Sequence, residues 1–231
     1  MKRFYKDVSV AADGPHWRVL LDGRGIRTAG KRAQLVPTAS LAEAMAAEWA
    51  GQGEEIDPAC FMLRDMADYA IDVIAQDRAD ALASLLPYAE TDTLCYRAEP
   101  DEALYQRQVA VWEPLLTAAE RRWDVHFERV SGIIHHPQPA ATVARFESVL
   151  AAESAFSLAA LRTLSSLACS LVIGLYALAD DADAEMLWNA ANLEEDWQAE
   201  LWGKDAEAEA RRAKRFSDFE AAMRFARLAR G

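Results

Sequence analysis

The sequence predicts an α+β protein: a small N-terminal antiparallel β-containing domain, residues 1–38, followed by a larger mainly α-helical domain, residues 39–231. Two observations carry this. Up to Pro37 the apolar residues fall in short β-type runs broken by Gly and Pro, and beyond it Ala, Leu, Glu and Arg recur at helical spacing. A third sets the scale: 231 residues that are 52% hydrophobic build a sizeable core without disulfide or metal support.

The strand runs are Phe4 to Val10, Trp17 to Leu21, Ile26 to Thr28 and Gln34 to Val36. Asp22-Gly23 supplies the positive φ angles of a tight hairpin. Thr38 or Ser40 then caps a helix that runs to about Trp49. Among the later helices, Val125 to Val130 alternates apolar and polar residues, which predicts a strand that resumes at Ile133-Ile134. Thr163 to Ala179 carries no charge and is long enough to raise the question of a membrane span. Arg162, its serines and threonine, Gly174 and the lack of a clear aromatic belt favour a buried central helix instead. A helix from Asp183 to Trp202 closes at Gly203, with Lys204 near its free carbonyls. The last helix, Asp205 to Arg230, buries Phe216, Phe219, Met223 and Ala226.

Composition narrows the function. A net charge of −12 repels phosphate backbones, so nucleic acid is not an expected partner. Cys60, Cys95 and Cys169 are odd in number and far apart, which suits free thiols in the cytoplasm. The start, Met1-Lys2-Arg3-Phe4-Tyr5-Lys6, lacks the apolar core of a secretory signal. Gly23, Gly25 and Gly30 miss the dinucleotide-loop pattern, and neither a phosphate loop nor a nucleophile elbow is present. His16, His126, His135 and His136 have no metal-ligand spacing, so no metal or other cofactor is expected. One cluster remains as an alternative centre for an enzyme or small-molecule site: Asp92, Cys95, Tyr96 and Arg97. A nucleophilic cysteine needs a base beside it, and a buried structural thiol with an Asp-Arg pair explains the same residues.

On a wheel of about 100° per residue, Met186, Ala190, Leu193, Trp197 and Leu201 form one stripe, read as core. Trp188, Ala191, Glu195, Gln198 and Trp202 form a second, nearly opposite. Tryptophans alternating with a carboxylate and an amide match interface composition. Packing between domains or against the final helix accounts for the second stripe equally well.

Leu193-Glu194-Glu195-Asp196-Trp197-Gln198 with Trp202-Gly203 resembles the LEExxQxxxWG signature of the assembly chaperones of the F-type ATP synthase catalytic head, the ATP-twelve family, also called ATP synthase assembly factor two. The resemblance extends through Lys2 to Lys6, Leu21 to Arg24, Val36-Pro37-Thr38, Glu48-Trp49, Ile56-Asp57-Pro58 and Thr91 to Arg97. It continues through Arg107-Gln108, Trp112 to Leu116, Gln138-Pro139, Phe156 to Leu161 and Ser170-Leu171-Val172. Gly25 stands where the family often has Pro, Asp65 and Asp68 polarise a segment usually richer in Thr and Asn, and Asp124 replaces an expected Gly. The resemblance implies a non-enzyme that binds the unassembled α subunit until the β subunit displaces it, without ATP hydrolysis. With it, Glu195 is the expected main contact, beside Gln198, Trp202 and Trp188, with Glu194 as the fallback. A bacterial protein, monomeric when free, is the corresponding expectation.

Overall fold

The structure, a computed structural model, describes residues 1–132, 134–203 and 205–231. The chain forms two compact units. One comprises Met1–Ala81, Ser154–Ala160 and Ala221–Gly231; the other comprises Leu82–Glu153 and Leu161–Glu220. The composition change at residue 38 marks the passage from strands to helices, whereas the first compact unit reaches Ala81 and recruits two later segments.

The first unit opens with a three-stranded antiparallel sheet in the order β1 (Val8–Asp13), β2 (His16–Leu21), β3 (Arg24–Gly25). Asp22 (φ 47°) and Gly23 (φ 75°) make the predicted hairpin, both with the positive φ that such a turn demands. Asp22 is suited to it because its carboxylate accepts the N–H groups of Lys6 (3.0 Å) and Asp7 (2.9 Å). The expected strands at Ile26–Thr28 and Gln34–Val36 are reduced to the isolated bridges Arg27–Ala33 and Trp17–Val36. Carboxylates replace the missing ladder. Ala29 N donates to Asp68 (3.1 Å), and Gly30 N (2.6 Å) and the Thr28 hydroxyl (2.7 Å) donate to Asp72, so the loop backbone is satisfied without a strand partner.

Helix α1 (Ala39–Ala50) starts at Thr38, whose hydroxyl accepts from Leu41 N at 3.1 Å, as its capping chemistry predicts. It buries Leu41, Ala42, Met45 and Trp49 in the core that also holds Val19 and Leu21 of β2. Helix α2 (Met62–Tyr69) runs into a single π-helical turn, Ala70–Ile74, and then α3 (Arg78–Ala83). Near the chain's end Phe156 stacks on Phe225, with ring centres 6.1 Å apart.

The second unit contains α4 (Pro87–Glu90), β4 (Tyr96–Arg97), α5 (Ala103–Trp123), β5 (Val130–Ser131) and α6 (Ala140–Ala151). It also holds most of α7 (Ala155–Ala168), all of α8 (Leu171–Ala177), α9 (Ala184–Ala191) and α10 (Leu193–Trp202), and the first part of α11 (Ala206–Arg230). The strand expected over Val125–Val130 shrinks to β5, which pairs in parallel with β4. Side chains again take the backbone donors: His126 N bonds Thr142, Phe127 N bonds Glu120 and Glu128 N bonds Gln138. Ile133, part of the expected resumption, lies outside the described residues; Ile134 is exposed and outside any strand.

The apolar run from Thr163 to Ala179 is two helices, not the single one expected. Cys169 adopts φ 49°, and the Ser170 hydroxyl caps α8 by accepting from Ile173 N at 3.0 Å. Six of the seven α8 residues are buried, so the run is apolar because it is surrounded. Among the described residues, no helix is long and apolar enough to cross a membrane.

Candidate functional site

The helix predicted from Asp183 to Trp202 is interrupted at Asn192, which has ψ 19° and a buried side chain. Its amide donates to the Trp188 carbonyl at 2.8 Å, the same oxygen that accepts the Asn192 N–H at 3.0 Å. A short amide side chain competing for its own helix's carbonyls is a standard way to end regular structure. The wheel therefore loses its phase at Asn192. Of the expected core stripe, Ala190 and Leu193 are buried, but Met186 and Leu201 are 46% and 58% exposed. Leu193 is the sole buried residue of α10.

Helix α5 holds the end of α9 and the start of α10 from one side. The Trp112 indole N–H donates to Ala190 O at 2.8 Å, and Gln108 donates to the Glu194 carboxylate at 2.6 Å. Gln108 meanwhile accepts the Ala98 N–H at 2.8 Å. Arg107 pairs with Glu200 (2.7 Å for one of its two bonds) and lies 5.5 Å from the Trp197 ring centre. A groove of about 570 Å³ runs along this side, lined by Arg107, Val111, Met186 and Leu193 among others. Helix α11 holds the other side: Arg212 reaches Asp196 at 2.7 Å, and Trp188 packs between Phe216 and Phe219.

Three of the five expected contact residues come together here. Glu195, Gln198 and Trp202 line one open groove of about 480 Å³ between α10 and α11, with Arg211 and Arg215 opposite. Trp202 is 78% exposed. Glu195 lies 3.7 Å from Arg215, a loose pair between open side chains, and such pairs contribute little. Glu194 turns away to Gln108; the residue is exposed as a whole, yet the burial of its carboxyl raises its pKa. Trp188 is 1% exposed, which corrects its expected place on the contact face: the break at Asn192 turns it under α11. The acids at the start of α10 suit the positive end of the helix dipole. Gly203 ends the helix at φ 91°, with its N–H on Ala199 O; Lys204 lies outside the described residues. The exposed Leu201, Met186 and Val111 were missed in the sequence, and Asn192 in mid-helix was the signal that the stripe does not run through.

The alternative centre at Asp92 to Arg97 is turned inward. Asp92 is fully buried and accepts from Leu94 N (3.1 Å) and Val172 N (3.0 Å), which ties the turn to the first turn of α8. Burial lifts its pKa to about 6 despite those bonds. Cys95 is buried and its thiol is pushed far up by desolvation, so it stays protonated. The histidine that reaches this turn, His135, bonds the Tyr96 hydroxyl at 2.9 Å. Arg97 pairs with Glu113, which also meets Arg129; the Arg129 bond first, then Arg97, holds Glu113 down at about 2. Among the described residues no three His, Cys, Asp or Glu side chains cluster as metal ligands.

The residues with open bonding capacity line a groove of mixed aromatic and charged side chains, whereas the Asp92–Arg97 turn is spent on internal bonds; the class, a chaperone, comes from the family. A family model described as ATP12 chaperone protein matches residues 2–120. The chain belongs to that family, the assembly chaperones of ATP synthase. The crystal structure of Atp12 from Paracoccus denitrificans superposes with a TM-score of 0.91 at 35% identity, covering 99% of this chain and 98% of that one. A solved protein of Agrobacterium tumefaciens gives 0.92 at 37% identity over 98% of this chain and 85% of that one. The mitochondrial protein atp12 of Schizosaccharomyces pombe is 24% identical over 214 residues, 87% of this chain and 74% of that protein.

Proposed function

We propose that this chain captures the unassembled α subunit of the F-type ATP synthase head in the bacterial cytoplasm, as a monomer, and yields it to the β subunit without ATP hydrolysis. An unpartnered ring subunit exposes apolar surface that aggregates, so a cover must bind it and still be replaceable. The observation that carries the reading is Trp202, 78% exposed beside Glu195 and Gln198 in one groove. Aromatic area anchors a partner, and a polar group with unspent bonding capacity orients it. Moderate affinity follows because a larger permanent interface displaces such a contact.

Co-expression with the organism's own α subunit tests this. Wild-type chain and α subunit are expected to elute together, and Glu195→Lys is expected to weaken capture by about thirtyfold, a hot-spot effect of about 2 kcal/mol, while thermal unfolding stays unchanged. No complex with wild type sinks the α-subunit assignment; a folded Glu195→Lys that captures normally sinks the α10 face.

A further inference from the structure

The first unit carries a feature that the α10 groove does not use. Strand β1 is an edge: its one neighbour is β2. The hairpin register sets Asp13 opposite His16, Ala11 opposite Arg18 and Ser9 opposite Leu20. The two residues flanking a two-residue hairpin loop form a hydrogen-bonded pair, and such pairs alternate along an antiparallel ladder. Asp13, Ala11 and Ser9 therefore bond β2, and one step further the Asp22 N–H reaches Asp7 O at 2.9 Å, as the alternation requires. The intervening residues, Val8, Val10 and Ala12, turn their N–H and C=O groups away from β2. Their opposite numbers agree: Trp17 bonds Val36, and Val19 O accepts from Ile26 N, both on the far side of β2. Among the described residues, none bonds the outward groups of Val8, Val10 or Ala12.

Proteins ordinarily blunt such an edge with Lys, Pro or a bulge. Val8-Ser9-Val10-Ala11-Ala12-Asp13 has none of these, and its six residues span about 20 Å. Side chains of Val8 and Val10 share the sheet face of the buried Val19 and Leu21, so an added strand would extend an existing apolar layer. The opposite face bears Asp7 and Asp13 near the two ends of the edge, both exposed, within a chain of net charge −12. Asp13 is paired with Arg18 at 2.8 Å, which leaves Asp7 as the acid of this edge with no side-chain ion pair among the described residues.

We propose that the outer edge of β1 is a strand-addition site that takes an extended segment of the client polypeptide, apolar or β-branched at alternate positions and cationic toward the end that meets Asp7. It rests on the chaperone reading only for who supplies the strand. Main-chain bonds to Val8, Val10 and Ala12 give affinity and Asp7 selects charge. A second copy of this chain on the same edge would instead show as a concentration-dependent dimer.

The test uses the full chain and short synthetic peptides that alternate Val and Thr between terminal lysines, followed by amide NMR. Binding is expected to move the Val8, Val10 and Ala12 amides. A glutamate-ended peptide should bind about tenfold more weakly, and one with N-methylated backbone should not bind. Val10→Pro removes one outward donor while the ladder to β2, carried by Ser9 and Ala11, remains; it should abolish peptide binding. If that variant fails to fold, Ala12→Lys, at an exposed position, should do the same. Glu195→Lys should bind peptide normally, so loss of α-subunit capture and loss of edge binding are separate results. Amides that stay unmoved, variants that bind unchanged, or a concentration-dependent dimer that protects the same amides would each overturn the proposal.

Discussion

Two acidic regions of the second unit use the same residue types to opposite ends. At Asp92 to Arg97 the polar groups are turned to internal partners: Asp92 to the N–H groups of Leu94 and Val172, Arg97 to Glu113, Tyr96 to His135, with the Arg97 Nε left as a buried nitrogen without a bond. On α10, among the described residues, Glu195 has only a long contact with Arg215, and Trp202 is largely in solvent. The difference teaches that a cluster can meet a partner only with the bonding capacity that internal contacts leave over. Composition within a few residues does not distinguish the two; spent and unspent hydrogen bonds do.

The comparison breaks if substitutions in the two regions have the same kind of effect. The largest is expected at Asp92→Ala, which strands two buried N–H groups and should cost about 3 kcal/mol of stability, read by denaturant unfolding. The same residue carries a pH signature. Its folded pKa, about 6, lies above the ordinary 3.8, so the folded chain holds a proton that the unfolded chain releases. Stability from this group therefore falls as pH rises from about 4 to about 6, and Asp92→Asn should remove that slope. Glu113 acts oppositely and lower: its contribution is lost as pH falls from the ordinary carboxylate range toward about 2.

Next comes Trp202→Ala, expected to cut α-subunit capture about tenfold or more, the size of an exposed aromatic anchor, while unfolding stays unchanged. Adjacent acids sharpen the contrast further. Glu194→Ala leaves Gln108 without its acceptor and should cost about 1 kcal/mol of stability, whereas Glu195→Ala should cost none within error and act on capture instead. The smallest effect belongs to Asp124→Gly. Asp124 sits at φ 54° at the end of α5, where a side chain is strained, so glycine should stabilise by some tenths of a kcal/mol, up to about 1.

Those positions also mark how far the sequence could be read. The α+β class, the Asp22-Gly23 turn, the Thr38 cap and, on the last helix, the burial of Phe219, Met223 and Ala226 were legible because each is a local rule with a local cause, while Phe216 of the same expected face is half-buried. The strands at Ile26–Thr28, Gln34–Val36 and Val125–Val130 were not: the first two keep only single bridges around a loop whose Ala29 and Gly30 N–H groups go to Asp68 and Asp72, and in the third the N–H groups of Phe127 and Glu128 go to the side chains of Glu120 and Gln138. No periodicity announces a side-chain acceptor for a backbone donor. On α10 the resemblance led to Glu195, Gln198 and Trp202, which the structure brings to one groove. The wheel misplaced Trp188 and Leu201, because a single amide at Asn192 changed the phase between them.

The left-handed residue Cys169 has a consequence during synthesis. A ribosome releasing Thr163 to Ala179 emits an uncharged apolar run near the length at which targeting machinery recognises a membrane anchor. The turn at Cys169 and the cap at Ser170 divide it between the end of a 14-residue helix that begins at Ala155 and a helix of 7 residues, about 21 and 10 Å long, against a hydrocarbon core of about 30 Å. Neither piece spans a bilayer, so once the turn at Cys169 forms the run no longer presents a continuous apolar helix.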